Sequence, residues 1–335
     1  MARGAPATER RRYEMRYLSR AFVTLLVLGL ALVGLPPAEA ALKCPRNVIT
    51  WVVPFSPGGG TDRWARILSS ASFDVFGMAM RVRNKPGASG VVGWKWVLSK
   101  KADGCTILQA SSTPVIALLK EKSPPIQPDQ IKIVVYVSSF RSILLSAPGK
   151  PWATLDGLKT YAKRNPGKLT VGGSQSLSLA QAFFFDQLGL KLTYVPYSGT
   201  GKAVSDFLGG HIHLVAVTAS TGKGLVPGRA VAVVNTSPLP LSKKLKKQFK
   251  GVPSAKELGL KGASFPRWVG VHPDTPDAVA DELSEKIGKL LKHKAVRKLI
   301  KKVGEEIIFV PRKEARKEYR QLVENLKGAV KLLEK

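Results

Sequence analysis

Residues 48–62 read Val-Ile-Thr-Trp-Val-Val-Pro-Phe-Ser-Pro-Gly-Gly-Gly-Thr-Asp, and they constrain this chain more than any other stretch. The apolar run Val48–Val53 predicts a buried strand. It breaks at Pro54, passes through three glycines and restarts with helical periodicity at Thr61. Such a strand–loop–helix unit points the unpaired N–H groups of a helix start at one spot above a sheet. Those groups and the positive end of the helix dipole suit a carboxylate or a phosphate. Gly58, Gly59 and Gly60 let a ligand come close to the backbone. Two common phosphate loops do not fit: Gly-x-Gly-x-x-Gly would need glycine at Arg63, and the P-loop lysine is missing. Taken alone, the loop also reads as a plain turn.

The same unit recurs. Helical spacing runs from Trp64 to Val75 and stops at Gly77, a strand is expected over 78–82, and residues 87–90 turn into a helix over 91–98. Strands follow over 105–110 and 132–137. This βαβαβ pattern predicts a parallel sheet with ligands at the carboxyl ends of its strands. A second series alternates helices over 155–163, 174–188 and 202–208 with strands over 168–172, 191–195, 212–217 and 230–235. The C-terminal part reads as helical. Thr275 is expected to cap a helix with Pro276 in its first turn, and a strand over 307–310 precedes a last helix. The expected fold is α/β with two lobes: residues 41–142 with 236–335 form lobe I, and 143–235 form lobe II. The C-terminal helices are expected to pack on lobe I.

Residues 1–40 read as a secretory signal peptide. Arg10, Arg11, Arg12, Arg16 and Arg20 lead into an apolar run from Ala21 to Leu35, fifteen residues long and short for a membrane span. Pro36 and Pro37 end the run, and Ala38-Glu39-Ala40 fits a cleavage site after Ala40. The mature chain is therefore expected in the periplasm. Of its two cysteines, Cys44 stands just before the strand over 48–53 and Cys105 opens the strand over 105–110. If those strands are parallel neighbours, a disulfide is geometrically reasonable.

The formal net charge is +30, and the leader's six basic and three acidic residues leave about +27 on the mature chain. The basic residues are spread along helices without interleaved aromatics. They read as solvated faces that attract anions at long range, and no nucleic-acid partner is expected.

Catalytic patterns are lacking. His211 and His213 flank Ile212 without further metal ligands, and no nucleophile elbow, His-Glu-x-x-His or Cys-x-x-Cys occurs. No catalytic residue, metal or cofactor is assigned. What recurs instead is polar loops after strands, read as neutral hydrogen-bond donors lining a cleft between two lobes. The first loop offers Phe55, Gly58, Gly59, Gly60 and Thr61, with Asp62 holding the turn. Ser89, Ser111, Ser112 and Thr113 add to it from the same lobe. Ser174, Gln175, Ser176, Tyr197, Thr200 and Thr218 are expected from the other.

Three segments then carry a resemblance: Val52-Val-Pro-Phe-Ser-Pro-Gly-Gly-Gly-Thr-Asp62, Asn84-Lys-Pro-Gly-Ala-Ser-Gly-Val-Val-Gly93 and Ala102-Asp-Gly-Cys-Thr-Ile-Leu108. With Val195-Pro-Tyr-Ser-Gly-Thr200 and Asp206-Phe-Leu-Gly-Gly210, the chain resembles the Bug (TctC-like) family, the extracytoplasmic solute receptors of tripartite tricarboxylate transporters. The resemblance implies a two-lobed periplasmic-binding fold that closes on a small organic carboxylate and passes it to membrane permease subunits. A monomer is expected. Where the family often has Gly-Gly-x-Val-Asp-Leu-x-x-Asp, this chain has His213 and Val217 in place of the two acids, and Cys105 replaces a usual tyrosine. A plain acid is therefore favoured over an ammonium-bearing ligand. Sensing for a membrane kinase, an exported enzyme and a basic polyanion binder remain as other readings.

Overall fold

The chain, described here by a computed structural model over residues 42–333, builds two five-stranded sheets. The expected leader and its cleavage point lie outside the described residues.

The first sheet holds β1 (Val48–Val53), β2 (Ala79–Asn84), β3 (Thr106–Ala110), β4 (Lys132–Ser139) and a late strand, β10 (Pro266–Val271). Their order is β2-β1-β3-β10-β4. The second sheet holds β5 (Ser142–Ser146), β6 (Thr170–Gly173), β7 (Thr193–Pro196), β8 (Leu214–Thr218) and β9 (Val231–Asn235), in the order β7-β6-β8-β5-β9. The chain crosses between the sheets at Phe140 and Arg141, and returns through residues 236–265.

Helices follow the strands. In the first half these are α1 (Gly60–Ser69), α2 (Ser72–Phe76), α3 (Val91–Leu98) and α4 (Thr113–Lys120). The second half has α5 (Leu155–Arg164), α6 (Gln175–Asp186), α7 (Thr200–Leu208) and the short α8 (Ala219–Gly222). Then come α9 (Lys243–Gln248), α10 (Asp277–Lys292), α11 (Lys294–Val303) and α12 (Arg312–Ala329). Thr154 caps α5, its hydroxyl accepting the Gly157 N–H at 3.1 Å, which satisfies one orphan donor of the first turn.

The core explains why β10 sits inside the first sheet. Trp268 is fully buried and meets Trp94 edge-on at 5.7 Å and Tyr319 at 5.6 Å between ring centroids. Such contacts add about 0.5–1.5 kcal/mol each beyond burial. They tie β10 to both α3 and α12 within one core cluster. The α10 and α12 helices cover β4, while the 3-10 turn Val330–Leu333 packs on α6 of the other half.

Several expectations need correction. The first sheet is mixed: β1, β2 and β3 run parallel, but β10 lies antiparallel between β3 and β4. The helical pattern over 64–75 breaks at Ser70 and Ala71 into α1 and α2. Residues 307–310 form no strand; Val310 alone bridges to Tyr136. Thr275 does not cap α10, since Pro276 precedes the helix and the buried Thr275 hydroxyl has no partner. Cys44 and Cys105 form a disulfide with Cα atoms 5.4 Å apart, at the amino ends of β1 and its parallel neighbour β3. Among the described residues no helix is long and apolar enough to cross a membrane.

Candidate functional site

Five helices start directly after strands that face one another across the two sheets. In the first half α1 follows β1 and α4 follows β3; in the second, α6 follows β6, α7 follows β7 and α8 follows β8. The alternation in the sequence produces this geometry: each strand ends at the same rim, and each helix must begin there to cover its sheet. The starts enclose a small cavity lined by Phe55, Gly59, Gly60, Thr61, Ser111, Phe140, Ser174, Leu177, Gly199, Thr200, Thr218 and Arg267. Only about 20 Å³ is open to the centres of water-sized molecules. That is room for about one water or the headgroup of an acid.

The first loop is held from below. The Gly58 N–H donates to Asp62 Oδ2 at 3.0 Å, and Asn84 Nδ2 donates to Asp62 Oδ1 at 2.9 Å. Arg66 Nε adds an ion pair at 3.0 Å. Burial pushes the Asp62 carboxyl up, but Arg66, the Gly58 N–H and Asn84 overcome that and hold it below the usual range. Parallel pairing of β1 with β2, ending at Val53 beside Asn84, puts Asn84 in place for this. Asp62 spends its carboxylate on the turn and does not line the cavity. Gly58 is likewise absent from the lining, while Gly59, Gly60 and Thr61 present the start of α1 to it.

Close approach explains two glycines. A Cβ on Gly60 would stand 2.7 Å from Arg267 Nη2 and 3.3 Å from Thr218 Oγ1. One on Gly199 would stand 3.1 Å from the Ser56 nitrogen. The backbones of the two halves meet at Gly199, while at Gly60 the loop lies against the Arg267 side chain of its own half and the Thr218 side chain of the other.

Other residues singled out in the sequence bind the halves together. Thr113 Oγ1 lies 2.7 Å from Ser176 Oγ, and Gln175 Nε2 donates to Ser89 Oγ at 3.1 Å. Ser112 is buried in the turn before α4, its hydroxyl without a partner, and it does not line the cavity. The Tyr197 hydroxyl donates to Asp206 Oδ2 at 2.8 Å and is not in the lining; burial and Asp206 push its pKa up to about 12. Of the sixteen candidates, eight line the cavity: Phe55, Gly59, Gly60, Thr61, Ser111, Ser174, Thr200 and Thr218.

Sequence reasoning missed the one charged group in the wall. Arg267, on β10, is fully buried. Its Nη1 donates to Ser138 Oγ at 2.8 Å and to Glu305 Oε2 at 3.1 Å, and its Nη2 to Glu305 Oε1 at 3.4 Å. The guanidinium carbon lies 4.6 Å from the Phe140 ring centroid. Ser220, at the start of α8, donates to Glu305 from the other half. The expectation of purely neutral donors is therefore corrected. A signal existed in Pro266-Arg-Trp-Val-Gly-Val271, an apolar strand with one charge. Among the described residues no group of three or more His, Cys, Asp or Glu gathers to hold a metal ion.

Comparison with known proteins shows the family and the fold. The sequence model for receptors of the tripartite tricarboxylate transporter family (TctC) matches residues 65–333. The chain is 31% identical over 288 residues to the protein BugT of Bordetella pertussis, covering 81% of this chain and 85% of that one. A solved structure of a periplasmic transporter is 26% identical and superposes with a TM-score of 0.77, over 86% of this chain and 98% of its own. MatC from Rhodopseudomonas palustris, solved with bound malate, shares the fold at 22% identity and a TM-score of 0.73, over 84% of this chain and 98% of its own.

Proposed function

The chain belongs to the family of receptors of tripartite tricarboxylate transporters, and on that premise we propose that it captures a small organic carboxylate between its two halves and hands it to membrane permease subunits. The observation that carries this is the convergence of helix starts from both sheets on one cavity, with the Gly59–Gly60 backbone exposed to it. Unpaired N–H groups and helix dipoles from both sides favour an anion there. The malate held by a protein of the same fold supports the ligand class. In this reading the first sheet with the helices that cover it forms one moving body, and the second sheet with its helices, including α9, whose Leu245 packs in the second sheet's core, forms the other. A ligand that touches both sets of donors shifts the balance toward the closed form by its differential affinity. The cavity as it stands is too small for a whole acid, so entry requires the bodies to part. The leader directs the chain to the periplasm, where it works as a monomer without catalysing a reaction.

A thermal-shift screen of small carboxylates on the mature chain tests the reading. An acid present at a hundred times its Kd is expected to add about 2.7 kcal/mol of stability. A broad screen with no stabilising acid refutes it. Gly60→Ala places a methyl against Arg267 Nη2 and Thr218. It is expected to weaken the binding of any acid found by about tenfold or more, the equivalent of roughly 1.4 kcal/mol. Unchanged affinity in a folded Gly60→Ala protein removes the glycine loop from the site.

A further inference from the structure

Resting on the carboxylate reading of the cleft, we infer that Arg267 is its specificity-determining anchor, taking one ligand carboxylate in a two-point ion pair while Glu305 holds the guanidinium in position. A guanidinium has five N–H donors in a plane, arranged so that adjacent pairs match the two oxygens of a carboxylate. Three of the five are spent here. Nη1 uses both of its protons, on Ser138 and Glu305, and Nη2 uses one on Glu305. Glu305 thus occupies the end-on edge between Nη1 and Nη2. The side-on edge, made of Nε–H and the second Nη2 proton, is unspent: Nε is buried with no partner.

The position of that edge gives it a use. Nη2 lies 2.7 Å from where a Cβ on Gly60 would sit, so the edge adjoins the start of α1. Arg267 lines the cavity and is the single charged side chain in its wall. Its plane is fixed by Phe140 on the ring side and by Ser138 and Glu305 in the plane. A carboxylate on the open edge would also meet the Gly60 and Thr61 backbone. The apolar part of the wall, Phe55, Phe140 and Leu177, leaves the rest of the ligand without a second cation. The ligand class is therefore an acid whose bound headgroup is ionised, and whose neutral amide is rejected because it cannot satisfy two parallel donors.

Isothermal titration of the mature protein with malate, adipate, benzoate and acetate, and with the amides of those that bind, tests this. Two variants separate anchoring from folding. Arg267→Lys keeps the charge and loses the paired donors. Arg267→Met with Glu305→Met removes both charges together, so no buried ion is left alone. Wild type is expected to prefer each bound acid over its amide. Affinity is expected to fall about tenfold in Arg267→Lys and about a hundredfold in the double variant, on the scale of charge-assisted hydrogen bonds. The preference for acid over amide is expected to collapse in the double variant, which a merely structural arginine would not cause. Unchanged affinity and preference in folded variants overturn the anchor and leave the carboxylate cleft standing. No binding of any acid to wild type overturns the cleft reading, and the anchor with it.

Discussion

Glu305→Ala is expected to lower folding stability by about 3–5 kcal/mol, the cost of leaving one partner of a buried ion pair uncompensated. Arg267 is fully buried and, among the described residues, its only ionic partner is Glu305, whose side chain is 6% exposed. Without the carboxylate, the guanidinium keeps only Ser138 and the faces of Phe140 and Trp64. Replacing both residues by methionine removes the charges as a pair and is expected to be close to neutral, because buried ion pairs rarely outdo apolar packing of similar volume. Denaturant unfolding of wild type, Glu305→Ala and the double variant at pH 7 makes the comparison. A single variant within about 1 kcal/mol of wild type would mean that the pair is relaxed or hydrated.

The same pair sets a pH dependence. Burial pushes the Glu305 carboxyl up, but Arg267 and the Ser220 hydroxyl outweigh burial, and the folded value lies below the ordinary 4.5. A group depressed on folding stabilises fully above its unfolded pKa and loses that contribution as pH falls through its folded pKa. The stability gap between wild type and the double methionine variant should therefore be constant above pH 4.5 and move against wild type below it. A gap that stays flat down to the acid limit of folding would contradict the assignment.

The sequence made the outer plan of this site legible and hid its centre. Helix starts after β1, β3, β6 and β7 follow from apolar runs that break at glycine, serine or proline, signals contained within a dozen neighbouring residues. Gly59, Gly60, Ser111, Ser174 and Thr200 were found that way, and they line the cavity. Arg267 was not. Its strand opens with proline and carries a charge, which argues against a central strand in any local reading. Its partner lies 38 residues further on, so the compensation is visible only after folding. The wrong strand over 307–310 has the converse cause. Its residues are apolar enough for a strand, and it does run beside β4, the edge strand of its sheet, but it makes only the Tyr136–Val310 bridge and one bond from the Ile308 N–H to the Val137 carbonyl at 3.2 Å, too few for a ladder. Tyr197 shows a third limit: its loop was legible, but the partner of its hydroxyl, Asp206, sits on the helix that follows.

Removing the disulfide, by Cys44→Ser with Cys105→Ser or by reduction, is expected to cost about 4 kcal/mol, since in the chain-entropy account the bridge restricts a long loop of the unfolded chain. The two cysteines are 61 residues apart in sequence. For a chain of this length the loss corresponds to roughly 6 °C in Tm. Thiol titration of the denatured, unreduced protein comes first, and two free thiols would end the argument. Ligand affinity should not change. β1 pairs directly with β3, with Thr50 beside Thr106, and the Thr50 N–H donates to the Cys105 carbonyl at 2.8 Å. The bridge thus clamps the strands where they begin. The cleft lies where they end, a strand length of about 17–20 Å away. A variant that unfolds more readily yet binds its acid as tightly as wild type is the expected outcome. A matching loss of affinity would show that the amino ends of β1 and β3 govern the position of the glycine loop.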